Sequence, residues 1–196
     1  RADLSIADGF GLLLAERRLT RVSGVELLTS LVRLSGVHGW TVVLVGGKKG
    51  VAKHAALRLR QKFDIGAPGF RVVGFTGPSD IASAPKSQLD ALKIAINAIK
   101  PDLLAVAFGH HRQEYWMAQN RDRLDVGVMV GVGGALDQIV RPTLRPPATI
   151  DSMGFGWFYR LIRQPWRWRR QLALIRFLWL VFRHKLGLDK SLEIVL

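Results

Sequence analysis

Apolar positions along this chain keep two alternating rhythms, short β-branched runs and longer stretches with apolar residues three and four apart. DLSIA (3–7) reads as a short strand, and GFGLLLAERRL opens a helix directly after the Asp8-Gly9 turn. GVELLTSLVRLSG (24–36) has helical spacing and stops at Gly36. WTVVLVGG (40–47) is a continuous apolar run, the pattern of a parallel strand buried on both faces. VAKHAALRLRQKF (51–63) follows as an amphipathic helix, FRVVGFTG (70–77) as a strand and GPSDIASAP (77–85) as a loop. The second half repeats the order: helix KSQLDALKIAINAIK (86–100) stopped by Pro101, strand DLLAVAFG (102–109), a helix resuming within GHHRQEYWMAQN, and strand DVGVMVGVGG (125–134).

Strands alternating with helices at this spacing predict an α/β fold, a Rossmann-like, mainly parallel sheet with helices on both faces. VRPTLRPPATI (140–150) carries three prolines and breaks the rhythm, and everything beyond it has helical character. The expected organisation is therefore a domain over 1–140 and a basic helical appendage over 141–196. RADLSIADGF begins in what looks like the second half of a strand and without an initiator Met, so upstream sequence is expected to be missing from the domain.

Charge adds to that division. The chain of 196 residues carries a net charge of +14. Residues 1–140 hold 18 basic against 12 acidic residues, whereas 141–196 hold 11 against 3, so the excess is concentrated in the tail. Such a field attracts polyanions, and nucleic acid and phosphate-bearing membranes both qualify. The tail stretch RLIRQPWRWRRQLALIRFLWLVF (160–182) interleaves arginine and tryptophan before turning apolar, but its longest uncharged piece, Phe177 to Phe182, is bounded by Arg176 and Arg183. A spanning helix needs about 20 apolar residues, so this segment suits a bilayer surface. With no cysteine, disulfides, thiolate catalysis and Cys-ligated zinc are excluded, in keeping with a reducing compartment.

In open parallel sheets ligands bind at the carboxyl ends of the strands, which singles out four turns. ADGFG places Asp8 between strand and helix beside Gly9 and Gly11; its carboxylate is suited either to general-base work on a bound hydroxyl or to capping the helix. LVGGKKG offers the backbone of Gly46 and Gly47, with Lys48 and Lys49 beside it, to an anion or simply connects two elements. It matches neither GxGxxG nor the P-loop pattern, so neither a nicotinamide nor a P-loop nucleotide is supported. FGHHRQE gathers Gly109, His110, His111, Arg112, Gln113 and Glu114. Adjacent histidines are expected to point apart and make a poor metal pair, while Gln113 and Glu114 at a helix start suit substrate hydroxyls. No HExxH or DxD occurs, and no metal site is expected. GVGGALDQ provides Gly133, Gly134 and Asp137, either as a tight turn or for close approach to a diphosphate or sugar.

In order, ADGFG, RVSGVELL (21–28), VVLVGGKKGVA (42–52), PDLLAVAFGHHRQEYW (101–116), VGVGGALD (130–137) and GWFYRLIRQPWRWRR (156–170) run almost end to end, and together they resemble the WecG/TagA/CpsF glycosyltransferases, glycosyltransferase family 26. The resemblance implies inverting, metal-independent and cofactor-free transfer of a sugar from a UDP-sugar to a polyprenyl-diphosphate-linked sugar, in building bacterial cell-surface polysaccharide. The best-known members add N-acetylmannosamine or its uronic acid. It implies Asp8 as general base, Arg21 of the RVSG motif among the substrate-binding positions, and Arg160, Arg163, Arg167 and Arg170 as the arginines brought to the diphosphate. Arg160, Arg163 and Arg167 then share a helical face, and Trp157, Trp166 and Trp168 suit the headgroup layer. A core-packing helix pair with a solvated basic face is the alternative for the tail. The resemblance further implies the cytoplasmic membrane surface as a partner, a peripheral place on its inner face, and self-association. His110 and His111 stand where members usually carry a small residue and Pro, GGALD stands for the commoner GGAFD, and Gly156 stands where a Glu often precedes the Trp. An upstream strand with a Thr/Asn-bearing loop, expected to help bind the donor, is absent. A nucleic-acid-binding α/β protein is the competing expectation; it would use the same tail but leaves the glycine turns without a role.

Overall fold

The computed structural model describes residues 2–6, 22–78, 80–153, 156–163, 165, 179 and 182–183. By their internal contacts the residues form two compact units, one of Arg1–Ser5 with Gly24–Thr143, the other of Ile6–Ser23 with Leu144–Leu196.

In the first unit the elements run α1 (Gly24–His38), β1 (Thr41–Gly46), α2 (Val51–Phe63), β2 (Arg71–Phe75), α3 (Lys86–Ile99), β3 (Leu103–Ala107), α4 (Arg112–Asn120), β4 (Val128–Gly131) and α5 (Ala135–Val140). All four strands are parallel, in the order β2-β1-β3-β4, with registers Val42↔Val72, Val42↔Leu103 and Leu103↔Val128. This is the expected Rossmann-like α/β fold. The two strands with unbroken apolar runs, β1 and β3, are the central ones and are buried throughout. β2 and β4 flank them and are partly exposed.

Burial on both faces follows from the crossovers. A parallel connection must be right-handed. The β1-to-β2 step moves one way across the sheet and the β2-to-β3 step returns past β1, so α2 and α3 are forced onto opposite faces. The core divides accordingly. Val42 and Leu44 meet Ala52, Ala55 and Leu59 of α2, whereas Val43 and Val45 meet Leu92 and Ile96 of α3. At the amino ends, Asp102 Oδ2 accepts from Thr41 N at 2.8 Å and Asp102 N donates to Thr41 O at 3.0 Å, pinning the start of β3 to β1. α3 ends at Lys100, whose φ of 48° turns the chain into Pro101. Its ammonium lies 2.7 Å from Asp125, and that hydrogen bond and charge raise its pKa above the ordinary lysine value.

The second unit contains a 3₁₀ turn (Pro142–Leu144) at its border, then α6 (Ala148–Ser152) and α7 (Gly156–Arg163). One expectation is corrected. Residues 2–6 form no strand. A strand exists only with a ladder partner; instead Asp3 Oδ1 accepts from Arg121 at 3.2 Å. Of the arginine face expected from 160 to 167, Arg163 closes α7, while Arg167 and the side chain of Arg160 lie outside the described residues. No helix among the described residues is long and apolar enough to cross a membrane.

Gly74 of β2 lies directly under α2, where an added methyl would meet the backbone of Ala52 and stand 2.6 Å from Lys53 N. Backbone cannot step aside as a side chain can, so Gly74→Ala is expected to cost about 1–3 kcal/mol. Urea denaturation checks this, and a midpoint equal to the parent's would contradict the packing.

Candidate functional site

The strand order reverses between β1 and β3, since the chain leaves β1 toward β2 and then returns to β3 on the other side. A crevice opens outside the carboxyl ends at such a point. Three exit turns line this edge: Gly46-Gly47 after β1, Phe108 to His111 after β3, and Val132 to Gly134 after β4.

The β1 exit is built by close approach. Gly47 N donates to Ala107 O at 3.1 Å, tying β1 to β3 at their last residues. Gly46 has a φ of 107°, and a Cβ there would lie 2.6 Å from Ala107 O. Only glycine meets both conditions. Over Gly46 and Gly77 lies the Phe108 ring, set edge-on to buried Trp116 with centroids 5.3 Å apart. Lys48 and Lys49 stand exposed on the same turn. Neither Phe108 nor Gly77 was marked by a local sequence pattern, because their role arises from residues more than thirty positions apart.

The β3 exit is open and strained. Gly109 has a φ of 88° and nothing within 4 Å of where its Cβ would be. His111 has φ 65° and ψ −41°, near the rarely occupied γ region, at a cost of about 1–3 kcal/mol. The expectation that His110 and His111 diverge is overturned: their rings lie together, centroids 4.0 Å apart and tilted by 36°. The positive φ at His111 reverses the usual side-chain alternation. Arg112 Nη1 pairs with Asp80 Oδ1 at 3.0 Å, which brings the loop after β2 to this turn; that loop carried no chemical signal in the sequence. His110 Nδ1 lies 3.6 Å from Glu114 Oε1.

Gln113 differs from its expected part. Its side chain is 5% exposed and is used within the protein, Oε1 accepting from Gly133 N and Nε2 donating to Glu114 Oε1, both at 2.9 Å. The β4 exit otherwise remains open, with nothing within 4 Å of a Cβ at Gly133 or Gly134. Asp137 sits half-buried in the first turn of α5. Gly24 of the RVSG motif begins α1 close behind this turn, its added Cβ 3.1 Å from Val132 O. Among the described residues, the amide N–H groups of Gly109, His110, His111 and Gly134 have no hydrogen-bond partner.

The sheet edge thus gathers Gly46, Gly47, Gly109, His111, Arg112, Gln113, Glu114, Gly133, Gly134 and Asp137. Asp8, Gly9, Gly11, Arg21, Arg167, Arg170, Trp166 and Trp168 lie outside the described residues, as do the side chains of Trp157 and Arg160 on α7. Arg163 is exposed at the end of α7, its guanidinium 5.6 Å from the centroid of the Tyr159 ring. No group of three or more His, Asp or Glu side chains suited to a metal ion occurs among the described residues. A cleft of about 240 Å³ between α3 and α4, lined by Leu89, Lys93, Trp116, Gln119, Asn120 and Arg123, contains none of the expected site residues.

The two open and crowded turns give a clean contrast. Gly134 has an ordinary φ of −88° and free space, so Gly134→Ala is expected to unfold within about 0.5 kcal/mol of the parent. Gly46→Ala is expected to lose about 1–3 kcal/mol through strain and contact with Ala107. Equal denaturation midpoints for the two variants would refute the assignment of a rigid β1 exit and an open β4 exit.

Residues 1–191 match the model of the Glycosyl transferase WecG/TagA/CpsF family. Covering nearly the whole sequence, both compact units included, the match shows that the chain belongs to the WecG/TagA/CpsF family of glycosyltransferases.

Proposed function

We propose that this glycosyltransferase moves a sugar, of the N-acetylmannosamine type or a related hexose, from a UDP-sugar to a hydroxyl of a polyprenyl-diphosphate-linked sugar. The transfer inverts the anomeric carbon and uses no metal ion. It serves bacterial cell-surface polysaccharide synthesis at the inner face of the membrane. The observation that carries the donor assignment is the row of unpartnered amides at Gly109, His110, His111 and Gly134, on glycine turns open to ligand at the point where strand order reverses. Backbone N–H groups without partners at such turns suit the oxygens of a diphosphate. Exposed Lys48 and Lys49 add positive charge at the neighbouring exit.

In the reaction, the Asp8 carboxylate accepts the proton of the acceptor hydroxyl as its oxygen forms the new bond to the anomeric carbon. The bond from that carbon to the UDP oxygen breaks on the opposite side, and UDP leaves with the electron pair. Charge building on the diphosphate is met by backbone amides and by arginines from the tail, Arg160, Arg163, Arg167 and Arg170. Arg112, held by Asp80, keeps further N–H donors for the same edge. Residues 1–140 act as the transferase domain and 141–196 as the appendage that meets the lipid surface.

Exposed apolar side chains support the membrane part. Phe158, Ile162, Trp179 and Phe182 are 48%, 64%, 55% and 62% exposed, and the Arg183 guanidinium lies 4.7 Å from the centroid of the Trp179 ring. Rings and arginines so arranged suit the headgroup region.

With a UDP-sugar panel, a polyprenyl-diphosphate N-acetylglucosamine acceptor and EDTA present, the parent is expected to transfer from one donor. Asp8→Asn is expected to lower kcat by about 10³-fold or more while UDP still binds; near-parental turnover would remove Asp8 from the mechanism. Replacing Trp179 and Phe182 together by Ser is expected to reduce partitioning onto anionic vesicles by about tenfold or more. Unchanged sedimentation with vesicles would sink the tail assignment.

A further inference from the structure

Gln113 joins two exits that the sequence keeps twenty residues apart. Its Oε1 accepts a hydrogen bond from Gly133 N and its Nε2 donates one to Glu114 Oε1, each at 2.9 Å. The carboxamide packs against Gly131, where an added Cβ would come within 2.7 Å of Nε2. Its side chain is 5% exposed, so little of it is open to a ligand. We propose that Gln113 is a positioning residue for glycosyl transfer, locking the turn after β4 to the loop after β3 and so fixing the spacing between the two ligand-facing edges.

Two features give the lock its place and its direction. Backbone bonds hold the flanks of the turn, Val132 N to Val106 O and Ala135 N to Val132 O, but Gly133 itself, with a φ of 52° and no atom within 4 Å of its Cβ position, has only the bond to Gln113 to orient its amide. Reversing the carboxamide would set Oε1 against the Glu114 carboxylate and Nε2 against the N–H of Gly133, two repulsive contacts, so Glu114 selects the orientation. His110, 3.6 Å from the same Glu114 oxygen, extends the chain to the surface. Gln113 is buried whereas Glu114 and His110 are exposed, so low dielectric strengthens chiefly the bond from Gly133 and raises the cost of breaking it. It also follows that the N–H of Gly133 is spent on Gln113, leaving that of Gly134 for a ligand.

The inference rests on the strand-end reading of the transfer site, and its test separates the two. In the intact protein, kcat, donor KM, UDP affinity and amide exchange at Gly133 are measured for Gln113→Leu, which removes both bonds, and Gln113→Glu, which keeps the acceptor but opposes two carboxylates. The double variant Q113E/E114Q restores a matched pair with donor and acceptor exchanged. Both single variants are expected to lose about 10–100-fold in kcat with UDP affinity within about threefold of the parent. Gly133 should exchange at least about tenfold faster in Gln113→Leu, and the double variant should return Gly133 exchange to near the parent rate, a readout that any contact of Glu114 with substrate leaves untouched. Retained kcat in Gln113→Leu, no recovery of Gly133 exchange in the double variant, or a loss seen only in KM and UDP affinity would each overturn the positioning role, the last by showing direct contact. If Gln113→Leu does not fold, Gln113→Glu and the double variant decide the matter. A parent that binds no UDP and transfers from no donor would instead overturn the strand-end reading, while exchange at Gly133 still reports on the lock.

Discussion

β1 and β3 pair from Val42↔Leu103 to Gly46↔Ala107, and the bond from Gly47 N to Ala107 O carries that ladder past the last residue of both strands. Parallel pairing fixes the crossovers, and the crossovers fix which helices stand on which face. Because β1 sends the chain one way, to β2, and β3 sends it the other, to β4, neither connection covers the carboxyl ends between them. The crevice is thus a consequence of strand order. The apolar runs of β1 and β3 provide the cohesion, since each alternate residue is buried under a different helix layer.

Around that ladder the exits divide the work between rigidity and access. The β1 exit is crowded: Gly46 and Gly77 have room for no side chain beneath Phe108, which rests on Trp116 in the core. The β3 and β4 exits are open, and among the described residues the amides of Gly109, His110, His111 and Gly134 have no partner. A site of this kind needs both properties. Open turns without a stiff neighbour would wander, and stiff turns without open amides would bind nothing. The strained backbone at His111 fits the same pattern, since a conformation of that cost persists only where its surroundings impose it.

The family match spans both compact units, so the basic tail belongs to the enzyme's own equipment. Charge is concentrated in residues 141–196, and Phe158, Ile162, Trp179 and Phe182 of the described tail are exposed, both features that the proposed lipid-surface partner would use.

Much of this architecture could be read directly. The sequence by itself determined the four strands and the helices α1 to α4 of the sheet domain, because apolar period and run length encode how many faces a segment buries; α2 begins and ends where VAKHAALRLRQKF does, whereas α5 reads only as the end of a glycine turn. It determined too that the glycine turns follow strands. Tertiary structure alone decided what those turns do. Gln113 looked like a substrate ligand, and only its distance to Gly133 shows an internal tie. The two histidines lie together because of one backbone angle that no neighbouring residue announces. DLSIA has strand composition, yet residues 2–6 form no strand, since a strand depends on a partner as well as on its own residues. Local pattern reports burial, which each residue carries in its own chemistry, whereas hydrogen-bond partners and ligand edges are properties of pairs distant in sequence, and only the folded chain brings them together.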